Sequence, residues 1–171
     1  MAAVQAVQAQ PARPEEYQVK AAYLYNFTRF VEWPAEAAPM RDARFAICIL
    51  GPDPFGAYLD TLLKDATVAG KPAVARRLTK PEDAATCPVL FISASEGDRL
   101  DPILARLNRG VLTVSDIPAF VRRGGMIQFI AAGNRIRFEV NQAVSERAGL
   151  TLSSELLKVA VAVRRTGSPS D

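Results

Sequence analysis

Between Glu15 and Val31, apolar and aromatic positions recur with helical spacing. Val19, Tyr23, Phe27 and Phe30 align, with Ala22 and Asn26 beside them, so this segment is expected to be a helix with that stripe facing the core. Leu24 and Val31 form a second apolar strip on its flank. Pro34 stops the helix and biases Trp33 toward extended backbone. The next run, Phe45 to Leu50, is apolar at every position and is bounded by charges and by Gly51-Pro52. An unbroken run of that length predicts a strand covered on both faces.

The pattern then alternates between short apolar runs and helical spacings. Phe55 to Ala66 reads as a helix through Leu59, Leu62 and Leu63, Pro72 to Leu78 as a weaker strand, and Pro88 to Ile92 as a second strand buried on both faces. Asp98 to Asn108 reads as a helix closed by Gly110, Val111 to Val114 as a strand, and a short helix follows, capped by Asp116 and ended by Gly124. Met126 to Ala131 and Arg135 to Val140 flank Gly133-Asn134, a hairpin signal. Asn141 is expected to cap a helix running to Ala148, with Gly149 as its stop and Leu150 folding back on Val144. Ser153 is expected to cap the last helix, which buries Leu156, Leu157, Ala160 and Val161.

This order implies an α/β layered sandwich with a largely parallel sheet of five to six strands, a C-terminal hairpin and helices on both faces. No repeat or linker interrupts residues 15–165, which read as one domain; residues 1–14 and 166–171 are expected to be disordered. The first stretch is rich in Ala and Gln and lacks both a basic start and an apolar core, so as written it is not a signal peptide. It has the look either of a mature end left by signal removal or of a native N-terminus.

Composition narrows the function. The 171 residues are 49% hydrophobic and 23% charged, values of a folded domain. The net charge of +3 is scattered as single Arg residues, which argues against a nucleic-acid partner. No apolar run is long enough to insert in a membrane. The chain has no histidine and two cysteines, Cys48 and Cys87. That removes Ser-His-Asp and Cys-His catalysis and His-ligated zinc, and leaves too few ligands for a metal. No Gly-rich phosphate loop appears, and a receiver domain would need an Asp where Ser93 stands. The sequence therefore predicts no enzyme, no cofactor and no metal.

Three groups of residues bear on binding. Asp53, Ser93, Ser95 and Asp116 fall at the expected carboxyl ends of strands, where a small polar ligand would sit, although Ser95 and Asp116 also suit helix caps. Tyr25, Arg29, Glu32 and Trp33 fall off the core stripe of the first helix and suit either a partner surface or packing on the sheet edge. In the late strand, Arg137, Glu139 and Asn141 share the face opposite Phe138 and Val140. Asn141 has a capping role, whereas Glu139 has no structural role that the sequence names. Cys48 and Cys87 are either a bonded pair or two small buried thiols.

The run from Lys20 through Tyr23-Leu24-Tyr25-Asn26-Phe27 to Trp33-Pro34 resembles the opening signature of the YfiR family. Arg137-Phe138-Glu139-Val140-Asn141 and the run Ala148 to Leu157 are similar to its C-terminal strand and helix. The resemblance spans nearly the whole domain. It implies a secreted periplasmic protein without catalysis, acting as a homodimer on a membrane-bound diguanylate cyclase and lowering cyclic-di-GMP synthesis. It implies a disulfide between Cys48 and Cys87, and a partner-contact region near Arg137 and Glu139. A second cysteine pair of that family would fall near Gly125 to Asn134, where this chain has none. A different expectation, resting on the strand-end residues, is a small-molecule sensor feeding a histidine kinase or other receptor.

Overall fold

The computed structural model describes residues 14–165. The expectations of disorder at 1–13 and 166–171 lie outside those residues, and Pro14 is already helical. Within the described residues, ten strands and five α-helices follow in the order α1 (Pro14–Phe27), β1 (Val31–Glu32), β2 (Phe45–Leu50), α2 (Ala57–Leu63), β3 (Thr67–Val68), β4 (Lys71–Leu78), β5 (Val89–Ile92), α3 (Leu100–Ala105), β6 (Leu112–Ser115), β7 (Ile127–Ala132), β8 (Arg135–Asn141), α4 (Gln142–Arg147), β9 (Thr151–Leu152), α5 (Ser154–Val159) and β10 (Ala162–Arg164).

Eight strands form one sheet in the order β10-β8-β7-β6-β5-β2-β4-β3. The stretch from β4 through β2, β5 and β6 to β7 is parallel. Both ends depart from it. The β7–β8 hairpin is antiparallel, and β10 then returns parallel to β8. At the other edge β3 and β4 form an antiparallel hairpin across Ala69 and Gly70, both at positive φ as a tight two-residue turn requires. The sheet is thus mixed and eight-stranded, and the expected largely parallel sheet of five to six strands is corrected. The strands missed, β3 and β10, are two and three residues long, too short for any periodicity to register.

The parallel strands are apolar throughout because both faces are covered. One face packs Ile47, Ile49, Phe91, Val114, Phe129 and Phe138 against Leu24 and Phe27 of α1, Leu59 and Leu63 of α2, and Leu156 of α5. The other packs Cys48, Leu50, Leu90 and Ile92 against Leu100 and Ile103 of α3 and against Phe120. Helices on both faces are therefore observed.

The first helix is the main departure from the sequence pattern. It ends at Phe27, four residues before the expected Val31, and the Thr28 hydroxyl donates to the Tyr25 carbonyl at its end. Its buried stripe is Lys20, Ala21, Leu24 and Phe27, while Val19 is 44% exposed. Val31 and Glu32 instead pair antiparallel with Leu152 and Thr151 as a separate two-stranded sheet. Helix α2 also stops early, at Leu63: Lys64 leaves the helical region at ψ 130°, and Asp65 follows with a left-handed backbone. The two expected caps at the end of the chain are present: Asn141 accepts from Val144 N at 3.1 Å and Ser153 from Leu156 N at 3.2 Å.

Candidate functional site

At the carboxyl ends of the parallel strands, the polar residues are bonded to the protein itself. Asp53 accepts from the backbone N–H groups of Phe55 and Gly56, at 2.8 and 3.2 Å, and from Arg77, which also grips Asp60. That hydrogen bond holds the exposed Asp60 carboxyl below its ordinary range. The Ser93 hydroxyl donates to the Pro52 carbonyl. Ser95 lies exposed on a 3-10 turn, Ala94–Arg99. Gly51, at positive φ, sits so close to Glu96 that an added Cβ would lie 2.8 Å from its carboxylate oxygen. Glu96 itself is buried and ion-pairs with Arg99. Side chains of the protein thus occupy the crevice between β2 and β5.

Asp116, after β6, is not the expected helix cap. The short helix expected after it is a 3-10 turn, Phe120–Arg122, whose N-cap Ala119 has no side-chain bond, and the Ser115 hydroxyl makes a local turn, accepting from Ile117 N at 3.0 Å while donating to the Ile92 carbonyl at 2.6 Å. Asp116 instead receives α1. Its Oδ2 accepts from the Lys20 ammonium at 3.0 Å and from the Tyr17 hydroxyl at 3.1 Å. Lys20 also bonds Glu16 at 2.7 Å and lies 4.6 Å from the centre of the Tyr17 ring. Tyr17 packs edge-on against Phe55. Burial first, and then the charge and hydrogen bond of Asp116, push the Tyr17 phenol above its ordinary range. The arrangement is an ionic clamp between the start of α1 and the end of β6. Sequence reasoning missed its Lys20 and Tyr17. The signal available was Glu16 and Lys20 at i, i+4, with Tyr17 on the same side of the helix.

One consequence is alkaline sensitivity. The protonated phenol contributes stability that is complete below the ordinary value of 10.0 and is lost as pH rises through the raised folded value. Denaturant unfolding between about pH 9 and pH 11 is expected to show stability falling less steeply in Tyr17→Phe than in the unaltered chain. Equal slopes would remove the phenol from this account.

At the opposite, amino-terminal end of the strands, Trp33 packs edge-on against Phe45 with ring centres 5.1 Å apart. Its indole N–H donates to the Pro88 carbonyl at 3.0 Å. Trp33 is therefore held against the sheet. Close by, Cys48 of β2 and Cys87, two residues before β5, form a disulfide with their Cα atoms 6.2 Å apart. Tyr25 is half-buried, and the exposed Arg29 places its guanidinium 5.2 Å from the Tyr25 ring.

Arg137 and Glu139 lie on the other side of the sheet from α1. Phe138 and Val140 enter the core beneath α1, so the alternating residues point away from it. Across the strands, Glu139 stands between Gln128 and Ala162, and Arg137 beside Ile130. Both are half-buried. The residues expected to bind a partner therefore divide between two sides of the molecule: Tyr25, Arg29 and Trp33 on one, Arg137 and Glu139 on the other.

The segments that carry the family resemblance meet in space. β1, at the end of the Lys20 to Pro34 run, pairs with β9 inside the Ala148 to Leu157 run. Between them, an added Cβ at Gly149 would come within 3.3 Å of Pro34. The YfiR/HmsC-like family model, DUF4154, matches residues 17–161. The chain belongs to the YfiR/HmsC-like family, whose domains are periplasmic and regulatory. No curated protein matches the chain. Among solved structures it is similar to a conserved domain protein from Vibrio cholerae O1 biovar El Tor, at 12% sequence identity and a TM-score of 0.53. That match covers 86% of this chain and 60% of the Vibrio protein, so the chain spans less than two thirds of that protein's length. At this identity the likeness concerns the fold alone. Among the described residues, no helix is long and apolar enough to cross a membrane.

Proposed function

We propose that this chain is a periplasmic binding protein that represses an inner-membrane diguanylate cyclase, and so lowers cyclic-di-GMP signalling, by direct protein contact and as a homodimer. The observation that carries this reading is the family match over residues 17–161. The cystine fits an oxidising compartment. A repressor of this kind shifts its target only by binding the low-activity conformation more tightly than the active one.

The surface best suited to that contact is the face of β8 carrying Arg137 and Glu139. These charged side chains stand on a rigid strand paired on both sides, which suits an interface that must discriminate between two conformations of a partner. In a strain whose only copy carries Glu139→Lys, cyclic-di-GMP is expected to rise above the level given by the unaltered gene, with the melting temperature of the purified variant unchanged. An unaltered cyclic-di-GMP level in that strain would remove Glu139 from the partner surface.

A further inference from the structure

At the amino-terminal ends of β2 and β5, a surface groove of about 410 Å³ opens between the Ala38–Met40 turn and β4. Three guanidinium-bearing residues line it: Arg41 and Arg44 from the segment leading into β2, and Arg76 from β4. Among the described residues, none of the three makes an ion pair with a carboxylate. The neighbour of Arg76 on the opposite face, Arg77, is by contrast tied to Asp53 and Asp60. Among the described residues, the acid in the groove lining, Asp42, accepts only a 3.4 Å bond from the Arg44 backbone N–H. Ala46 and Pro88 supply apolar lining.

The walls are fixed before any ligand arrives. Cys48 lies opposite Arg76 in the β2–β4 register, and Cys87 sits between the lining residues Thr86 and Pro88, so the disulfide joins the two sides beneath the groove. The rim is anchored by the Lys71 ammonium on the Met40 carbonyl and by the buried Pro39. A groove of this volume matches a small ligand. Unpaired guanidiniums recognise carboxylate and phosphate oxygens in two-point fashion. We propose that the Arg41–Arg44–Arg76 groove binds a small polyanion, a ligand bearing two or more carboxylate or phosphate groups. The site lies at the end of the sheet opposite Asp53 and Asp116, and the inference stands apart from the cyclase reading.

The test is calorimetric titration of the full chain with citrate and, separately, with pyrophosphate, at constant ionic strength. Saturable binding of at least one of them is expected, and which one binds distinguishes a carboxylate from a phosphate ligand. Arg44→Gln and Arg76→Gln are each expected to weaken that binding about tenfold. Arg135→Gln removes an equal charge from the β7–β8 hairpin and is expected to leave it unchanged. Failure of both anions to saturate, or an equal loss in Arg135→Gln, would overturn the proposal.

Discussion

Cys48→Ala together with Cys87→Ala is expected to lower stability by about 4 kcal/mol, because the bridge closes a long loop in the unfolded chain. The two cysteines are 39 residues apart in sequence, and both side chains are fully buried. Alanine leaves no unpaired hydroxyl in the core, so the loss reports chiefly the cross-link and two small cavities. In a domain of this size the melting temperature would fall by roughly 8–16 °C. Reduction of the unaltered chain should bring its melting curve close to that of the double variant. A melting temperature indifferent to both treatments would show that the cystine does not hold β2 to the segment that leads into β5.

Lys20→Met is expected to cost about 3–5 kcal/mol, comparable to the disulfide, because it strands a carboxylate at the carboxyl end of β6. The Lys20 side chain is 5% exposed and that of Asp116 13%. Among the described residues, Asp116 Oδ2 in the variant retains only the Tyr17 hydroxyl, and its Oδ1 already lacks a hydrogen-bond partner. Converting both residues, Lys20→Met with Asp116→Leu, removes the orphaned charge and should recover part of the loss. Chemical denaturation of the two single variants and the double variant measures the coupling directly. Additive losses would show that α1 docks through its apolar stripe alone.

These two anchors illustrate what the sequence discloses and what it withholds. β2, β5 and the β7–β8 hairpin were legible because unbroken or paired apolar runs end in strong punctuation, Gly51-Pro52 and Gly133-Asn134. The caps at Asn141 and Ser153 were legible because their partners lie within three residues. The buried face of α1 was not. The aromatic residues Tyr23, Phe27 and Phe30 drew the expected stripe toward Val19, while the true stripe includes a lysine. A charge on a helix reads as solvated unless its counter-ion is known, and that counter-ion stands 96 residues away in sequence. β1 and β9 share the difficulty: two-residue strands exist only because distant segments meet.

The candidate site divides in the same way. Alternation leaves Glu139 without a core role and the family resemblance implies a partner contact near it; the structure places it half-buried on the face away from α1. The arginine groove carried no local signal, since Arg41, Arg44 and Arg76 converge only once β2 and β4 pair. The residues Asp53, Ser93 and Asp116 do gather at strand ends as parallel topology requires, and there they bond the chain to itself.

The regulatory reading is tested most directly by the cyclic-di-GMP content of cells lacking this gene, measured beside the parent strain and a complemented strain. The account predicts a higher level in the deletion strain, restored to the parental value by the unaltered gene. A level that stays the same or falls would contradict repression of a diguanylate cyclase by this protein.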